Sequence, residues 1–348
     1  FNRSHWSLAT SFVDVNGDRL QDIYVTNDYY RDSLYLNQGD GTFEHTYLPG
    51  FSNRNGMSSQ LLDVNHDGRP DLFVSNIFME EDSKIYSKRH RFSDEKTRGH
   101  NLLVNTGSDP DWFRDTAGDS NVRRGGWGWA ATSTDYDNDF EFELVQARQN
   151  FLATNMAFQR YNLQNYDIAK FIGKYHGERP VPGVVRRENK IYSLFEEWLG
   201  YPGIWDWNGS KFLPLKPPEM GLDRLDARGI VEFDFNRDGG MDLGISQYEG
   251  SFHVFENTKN FNKAGSSWIK FEIEQAFQGG NIKLRHSGLT RYIPLSSRTD
   301  FMSQETPFYH VGLRDETPVE RVVVNWNDGA SRVYRNVPPE QLLSVKKP

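Results

Sequence analysis

Four short acidic segments recur along the chain, each with oxygen-bearing side chains at positions 1, 3, 5 and 9. They are Asp14, Asn16, Asp18 and Asp22; Asp63, Asn65, Asp67 and Asp71; Asp135, Asp137, Asp139 and Glu143; and Asp234, Asn236, Asp238 and Asp242. Position 7, occupied by Leu20, Arg69, Glu141 and Gly240, would add a backbone carbonyl. Calcium takes about six to eight oxygen ligands in a flexible shell, and alternate residues of a tight turn can aim that many at one centre. The spacing therefore predicts up to four Ca²⁺ sites. An EF-hand loop would need a bidentate Glu at position 12 and flanking helices. Position 12 here is Val25, Val74, Gln146 and Ile245, and the residues that follow the loops, such as Ile23-Tyr24-Val25-Thr26 and Leu72-Phe73-Val74-Ser75, favour strands. The loops read as calcium clips between β-strands. A lone acidic turn would be an ordinary solvated turn, but four copies of one pattern mark a repeat. The third copy is the least regular, with Phe140 at position 6, and is expected to be the weakest. The first has Arg19 there and Gly17 inside the loop.

Composition narrows the function. The net charge of −8 leaves no basic surplus to neutralise nucleic-acid phosphates. With no cysteine, disulfides, zinc–thiolate centres, iron–sulfur clusters and Cys nucleophiles are excluded. No apolar run reaches the roughly 18 residues of a membrane span. Weak calcium sites fill where free calcium is high, so an extracellular, cell-surface or periplasmic location is expected. The start Phe1-Asn2-Arg3-Ser4-His5 has neither Met nor an apolar leader core, as expected of a mature or trimmed piece of a longer product.

The loops must be held by strands. They begin at residues 14, 63, 135 and 234, so successive steps are 49, 72 and 99 residues. The first suits one four-stranded propeller blade. The second suits a blade with an insertion. The third suits two blades or one blade with a large insertion. Phrases such as Ser33-Leu34-Tyr35-Leu36-Asn37, echoed at His100–Asn105 and Ser251–Asn257, extend the repeat, and Trp205–Phe212 resembles its turn. Ile168, Phe171, Ile172 and Tyr175, then Ile191, Leu194, Phe195, Trp198 and Leu199, recur at helical spacing and predict a partly helical insertion near 150–200, the second segment being alternatively a blade strand. Residues 79–99 are charged and read as an exposed excursion. From residue 263 the character changes: Trp268–Glu274, Arg321–Trp326 and Arg332–Arg335 alternate, with Asn327-Asp328-Gly329 as a turn. The expected organisation is all-β, with a calcium-loop β-propeller over 1–262, incomplete in this chain, and a small β-domain over 263–348.

The loops resemble the FG-GAP or VCBS repeats of integrin-type β-propellers. Trp127-Gly128-Trp129-Ala130 leading into Asp135–Asp139 is similar to bacterial relatives of cartilage acidic protein. Gly280–Lys283, Ser303-Gln304, His310–Leu313, Val322–Gly329, Asn336-Val337 and Leu342–Val345 resemble the ASPIC/UnbV domain that follows such repeats; Arg314 departs from the expected Gly. The resemblance implies a secreted, calcium-stabilised propeller of about seven blades, more than the four or five legible here. The remainder is expected from an upstream segment or a second chain completing the propeller.

No local signature of a catalytic apparatus appears: no HExxH, nucleophile elbow, P-loop or dinucleotide fingerprint. His66, at an even loop position, should point away from the metal, and His253 and His310 read as structural. Trp127, Trp129, Trp205 and Trp207 are either blade packing or an aromatic platform. Asn2 and Asn208 begin short glycan-acceptor matches. The expected function is a non-catalytic extracellular calcium-binding scaffold for a protein or glycan partner, as in cell adhesion. The alternatives are a catalytic or accessory subunit of a secreted enzyme with a site at the propeller channel, and a structural role in a surface filament.

Overall fold

A computed structural model describes residues 6–28, 30–46, 55–76, 99–108, 111–123, 125–149, 184–187, 190–193, 201–222, 225–247, 250–258, 265–296, 299–301, 303–304 and 306–348. Its elements are β-strands and two short 3₁₀ turns. Three sheets have four antiparallel strands in sequence order, the arrangement of a propeller blade. Blade one comprises Trp6–Val13, Asp22–Asp28, Ser33–Asn37 and Phe43–Thr46. Blade two comprises Gly56–Leu62, Asp71–Asn76, Asn101–Asn105 and Phe113–Asp115. Blade three comprises Trp127–Thr134, Glu143–Gln149, Gly203–Trp207 and Phe212–Pro214. Blade four has, among the described residues, three strands, Ala227–Phe233, Asp242–Gln247 and Phe252–Phe255.

In every blade the acidic loop joins the first strand to the second. Both long steps prove to be single blades with an insertion between their second and third strands. The insertion in blade three carries a hairpin, Val184–Arg187 with Lys190–Ser193. Ile191, read as either helical or a blade strand, lies on a strand paired with Arg186, in a two-stranded sheet separate from the blade sheets. The other residues at helical spacing, and the charged stretch 79–98, lie outside the described residues.

The blades pack through alternate apolar residues. Val13, Tyr24 and Leu34 of blade one meet Leu72, Val74 and Leu103 of blade two. Leu62, Phe73 and Leu102 of blade two meet Leu144, Trp205 and Phe212 of blade three. Val145 and Ile204 of blade three meet Ile230, Leu243 and Ile245 of blade four. Successive residues of a middle blade's strands face opposite neighbours, as Leu72 and Val74 face blade one and Phe73 faces blade three.

The C-terminal part is a sandwich of two sheets. One contains Phe308–Leu313, Ser267–Ile273 and Gln341–Val345, the other Leu289–Leu295, Gly280–His286, Val319–Trp326 and Ser331–Val337. The expected turn over 327–329 joins the last two of these, with Gly329 at φ 92°. From this sandwich a small hairpin, Thr299–Asp300 with Ser303–Gln304, projects among the innermost blade strands. Its first arm lies against the inner strands of blades one, two and three, and its second against that of blade four. Phe301 at its tip is buried with Ala130, Ile230 and Ile245 and meets Trp129 at 5.2 Å between ring centroids. Phe301→Ala is expected to cost about 3–4 kcal/mol of unfolding free energy. Urea unfolding checks this, and a loss below about 1 kcal/mol would show that the hairpin bears no packing load.

Candidate metal centres

Each acidic loop has left-handed backbone at positions 4 and 6. Position 4 is Gly17, His66, Asn138 and Arg237, at φ 77°, 55°, 56° and 62°. Position 6 is Arg19, Gly68, Phe140 and Gly239, at φ 72°, 87°, 77° and 88°. A side chain in this region costs about 1 kcal/mol or more. Arg19 and Phe140 adopt it even so, and all four copies share one path.

That path gives the acidic side chains equivalent partners. Asp14 accepts from the amides of Gly17 (2.8 Å) and Arg19 (2.9 Å). Asp63 accepts from Asp67 (3.1 Å) and Gly68 (2.8 Å). Asp135 accepts from Asp139 (2.9 Å) and Phe140 (3.0 Å), and Asp234 from Asp238 (3.1 Å) and Gly239 (3.0 Å). At position 5, Asp18, Asp67, Asp139 and Asp238 each accept from the position-7 amide, that of Leu20, Arg69, Glu141 or Gly240. At position 9, Asp22, Asp71, Glu143 and Asp242 reach back to the position-2 amide at 2.9, 2.9, 2.6 and 3.0 Å. At position 3, Asn65 and Asn236 accept from the position-5 amide, as Asn16 does from Asp18. A carboxylate oxygen has two lone pairs, so one amide bond leaves capacity for a cation.

The third loop, expected to be the weakest, has the tightest carboxylate cluster. Asp135, Asp137 and Glu143 offer ligand atoms within 4.8 Å of one another. Glu143 is buried, and its Oε1 has no hydrogen-bond partner among the described residues. Such an atom is costly unless a ligand satisfies it. Hard carboxylate and amide oxygens suit Ca²⁺, so the residues fit that ion.

Electrostatics concentrate at the same places. Burial pushes the Asp22 and Asp63 carboxyls up to about 6, and that of Asp71 to about 7. Burial outweighs the neighbouring Arg291 and holds Asp135 at about 7. It also raises Asp14, Glu143 and Asp242. Desolvated carboxylates crowded together oppose ionisation, and a divalent cation would reverse that balance.

An asparagine at the end of the third strand couples loop to blade. The amides of Asn37, Asn105 and Asn257 donate to Asp22, Asp71 and Asp242 at 2.8, 2.7 and 2.7 Å. The side chain of Asn105 then donates to Val15 O of the preceding loop at 2.9 Å, and that of Asn257 to Tyr136 O at 2.8 Å. Asn37 instead turns to Gln21 O in its own blade, at 3.1 Å. Blade three places Trp207 at this register, beside a Glu at position 9. In the sequence these asparagines only close the repeated strand phrases, with no sign of their partners. Their signal was the recurrence of Asn at the close of each strand phrase.

Other expectations resolve locally. His66 Nε2 points away from its own loop to Glu141 Oε2 at 3.1 Å, bridging loops two and three. His310 Nε2 meets Asn138 Oδ1 at 2.8 Å, and His253 pairs with Gln247. Trp205 and Trp207 are buried in blade packing, and Trp129 lies between Phe301 and the Arg228 guanidinium, so these three form no open platform. The side chain of Trp127 lies outside the described residues.

Among the described residues no helix is long and apolar enough to cross a membrane. No curated protein matches the chain. Residues 14–74 match the FG-GAP-like repeat family, and residues 274–348 match the ASPIC and UnbV family. The first match spans the first two acidic loops and the second most of the sandwich. The chain thus has the architecture of FG-GAP-type β-propeller blades followed by an ASPIC/UnbV domain.

Proposed function

We propose that the chain is a calcium-stabilised, non-catalytic binding module that works outside the cytosol and docks a protein partner on open blade faces. The observation that carries this reading is the pair of apolar sheet faces at the two ends of the blade series. On blade four, Phe235, Phe252 and Val254 are 50%, 58% and 49% exposed. The Phe252 ring lies over Gly244, beside Val231 and Phe233, where an added Cβ would come within 2.6 Å of it. On blade one, Phe12, Ile23, Tyr35 and His45 form one cross-strand row, and Trp6 is 65% exposed. The opposite faces of both blades are packed on neighbouring blades. Contiguous exposed apolar surface on a sheet marks an interaction site. Its flatness and two-residue period suit another sheet, so the favoured partner is a polypeptide that brings further blades.

A channel enzyme is less favoured because the hairpin carrying Phe301 occupies the space between the inner strands. A polar cavity between the inner strands and the sandwich, lined by Ser11, Ser59, Ser133, Glu232, Arg291 and His310, measures about 70 Å³, room for a few waters.

The test is a pull-down and light-scattering comparison of the wild type with a Phe252→Glu/Val254→Lys double variant, in calcium. Loss of association with unchanged melting supports the docking face, and unchanged association rejects it. The metal role has a separate test. Asp67→Ala should lower the Tm by roughly 4–8 °C in calcium and barely change it in chelator, because a lost ligand matters only when the ion is bound. Equal losses in both media would argue against calcium at this loop.

A further inference from the structure

All four acidic loops lie at the end of the blades that meets the C-terminal sandwich. Gly68 of loop two sits against the Tyr292 ring, and Gln21 of loop one approaches Gly279. A Cβ on Gly312 would lie 2.2 Å from Asn138 Cα, so loop three touches the sandwich backbone. Gly239 of loop four lies beneath the Trp268 indole. Phe140 of loop three is buried in the sandwich core with Ile269, Phe271 and Leu313.

The sandwich treats the loops unequally. In loop three, Asp135 Oδ2 accepts from Arg291 Nη1 and from the Gly312 amide, each at 3.0 Å, in addition to its own loop amide. Arg291 and Asp135 are both buried. In loop four, Asp234 Oδ2 takes the Lys270 ammonium, also in a largely buried pair. In loops one and two, Asp14 and Asp63 are hydrogen-bonded, among the described residues, only by amides of their own loops. Two position-1 carboxylates therefore carry a cation from the sandwich, and two do not.

We propose that Arg291 and Lys270 are resident counter-ions of loops three and four. Calcium then binds in two classes, readily at loops one and two and more weakly at loops three and four. This rests on the calcium reading of the loops. An ammonium and a divalent ion on one carboxylate repel strongly where water is scarce. Metal entry at loop four must move Lys270 or bear that repulsion. Removing a buried cation's partner also leaves an unpaired charge, so metal binding at these loops loosens the sandwich contact. The arrangement holds the sandwich on the blades when calcium is low. Glu143 Oε1, buried and without a hydrogen-bond partner among the described residues, keeps one further ligand position for metal at loop three, in the same cluster as Asp135 and Asp137.

The experiment is a calcium titration of the chelator-treated chain by calorimetry, with bound ions counted by native mass spectrometry. It uses the wild type, Lys270→Gln, Arg291→Gln and, as a control, Arg285→Gln at an exposed pair. The expected wild-type result is two tighter and two weaker sites separated by about tenfold or more in Kd. Lys270→Gln should convert one weaker site to the tighter class, and Arg285→Gln should leave the pattern unchanged. If Arg291→Gln fails to fold, Lys270→Gln alone decides. A single class of four sites unaffected by Lys270→Gln overturns the counter-ion assignment and leaves the calcium reading standing. No bound calcium in the wild type or in Lys270→Gln would overturn both.

Discussion

Phe140→Ala is expected to lose about 3–4 kcal/mol of stability, and Phe140→Gly to lose less than Phe140→Ala. The first figure follows from burial: Phe140 is fully enclosed by Ile269, Phe271, Leu313 and Val322 of the sandwich, and truncating such a ring removes its transfer energy and leaves a cavity. The ordering follows from the backbone. Phe140 sits at φ 77°, where alanine is strained by about 1 kcal/mol and glycine is not. In an ordinary strand or helix the ranking would be reversed, because glycine there is worse than alanine. Urea unfolding of both variants in calcium checks the prediction. Alanine more stable than glycine would mean that the loop relaxes out of the left-handed region once the ring is gone. The wild type offsets local strain with packing across the boundary between blades and sandwich, which explains a bulky residue where the other loops have Gly or an exposed Arg.

The same residue shows what sequence could and could not reveal. The β-branched and aromatic runs Ile23–Thr26 and Leu72–Ser75 mark blade strands by residue type, the second being buried on both faces, and the alternation of Trp268–Glu274 marks a strand with one buried face. Loop positions were equally legible, since each needs oxygen atoms at fixed offsets. Phe140 looked like a defect because its reason lies more than a hundred residues away, in the core built around Ile269 and Leu313. Arg291 and Lys270 were invisible for the same reason: an isolated cation in an alternating strand reads as a solvated side chain. The single-blade nature of the 99-residue step was open because helical spacing and strand spacing compete in short apolar runs. Ile191 fell on the strand side. Asn105 and Asn257 could have been singled out, because each recurs at the close of the third strand, but their partners Val15 O and Tyr136 O belong to other blades.

In chelator, stability should fall as pH rises from about 5 to 7.5, and in calcium the trend should flatten or invert. Asp22 and Asp63 are pushed up to about 6 in the folded chain, and Asp71 and Asp135 to about 7, in each case chiefly by burial. Between the unfolded carboxylate value near 3.8 and these folded values, the folded state holds more protons than the unfolded state. The slope of unfolding free energy with pH is then negative, so the stabilisation is present at low pH and lost as pH rises through the folded pKa. The loss is about 3–5 kcal/mol in total, less than independent groups would give because neighbouring carboxylates share protons. It should appear as a Tm decrease of roughly 10 °C. Calcium binds the deprotonated carboxylates, so in its presence rising pH strengthens binding and offsets the loss. Asp32 supplies an internal control. It is buried in blade one away from the loops, accepts from Tyr24 Oη at 2.8 Å and the Asn27 amide at 2.9 Å, and burial holds it at about 7. Its contribution has the same sign in both media, so Asp32→Asn should remove a common component and leave the difference between chelator and calcium intact. Parallel curves with and without calcium would mean that the raised carboxylates of the loops are not metal ligands.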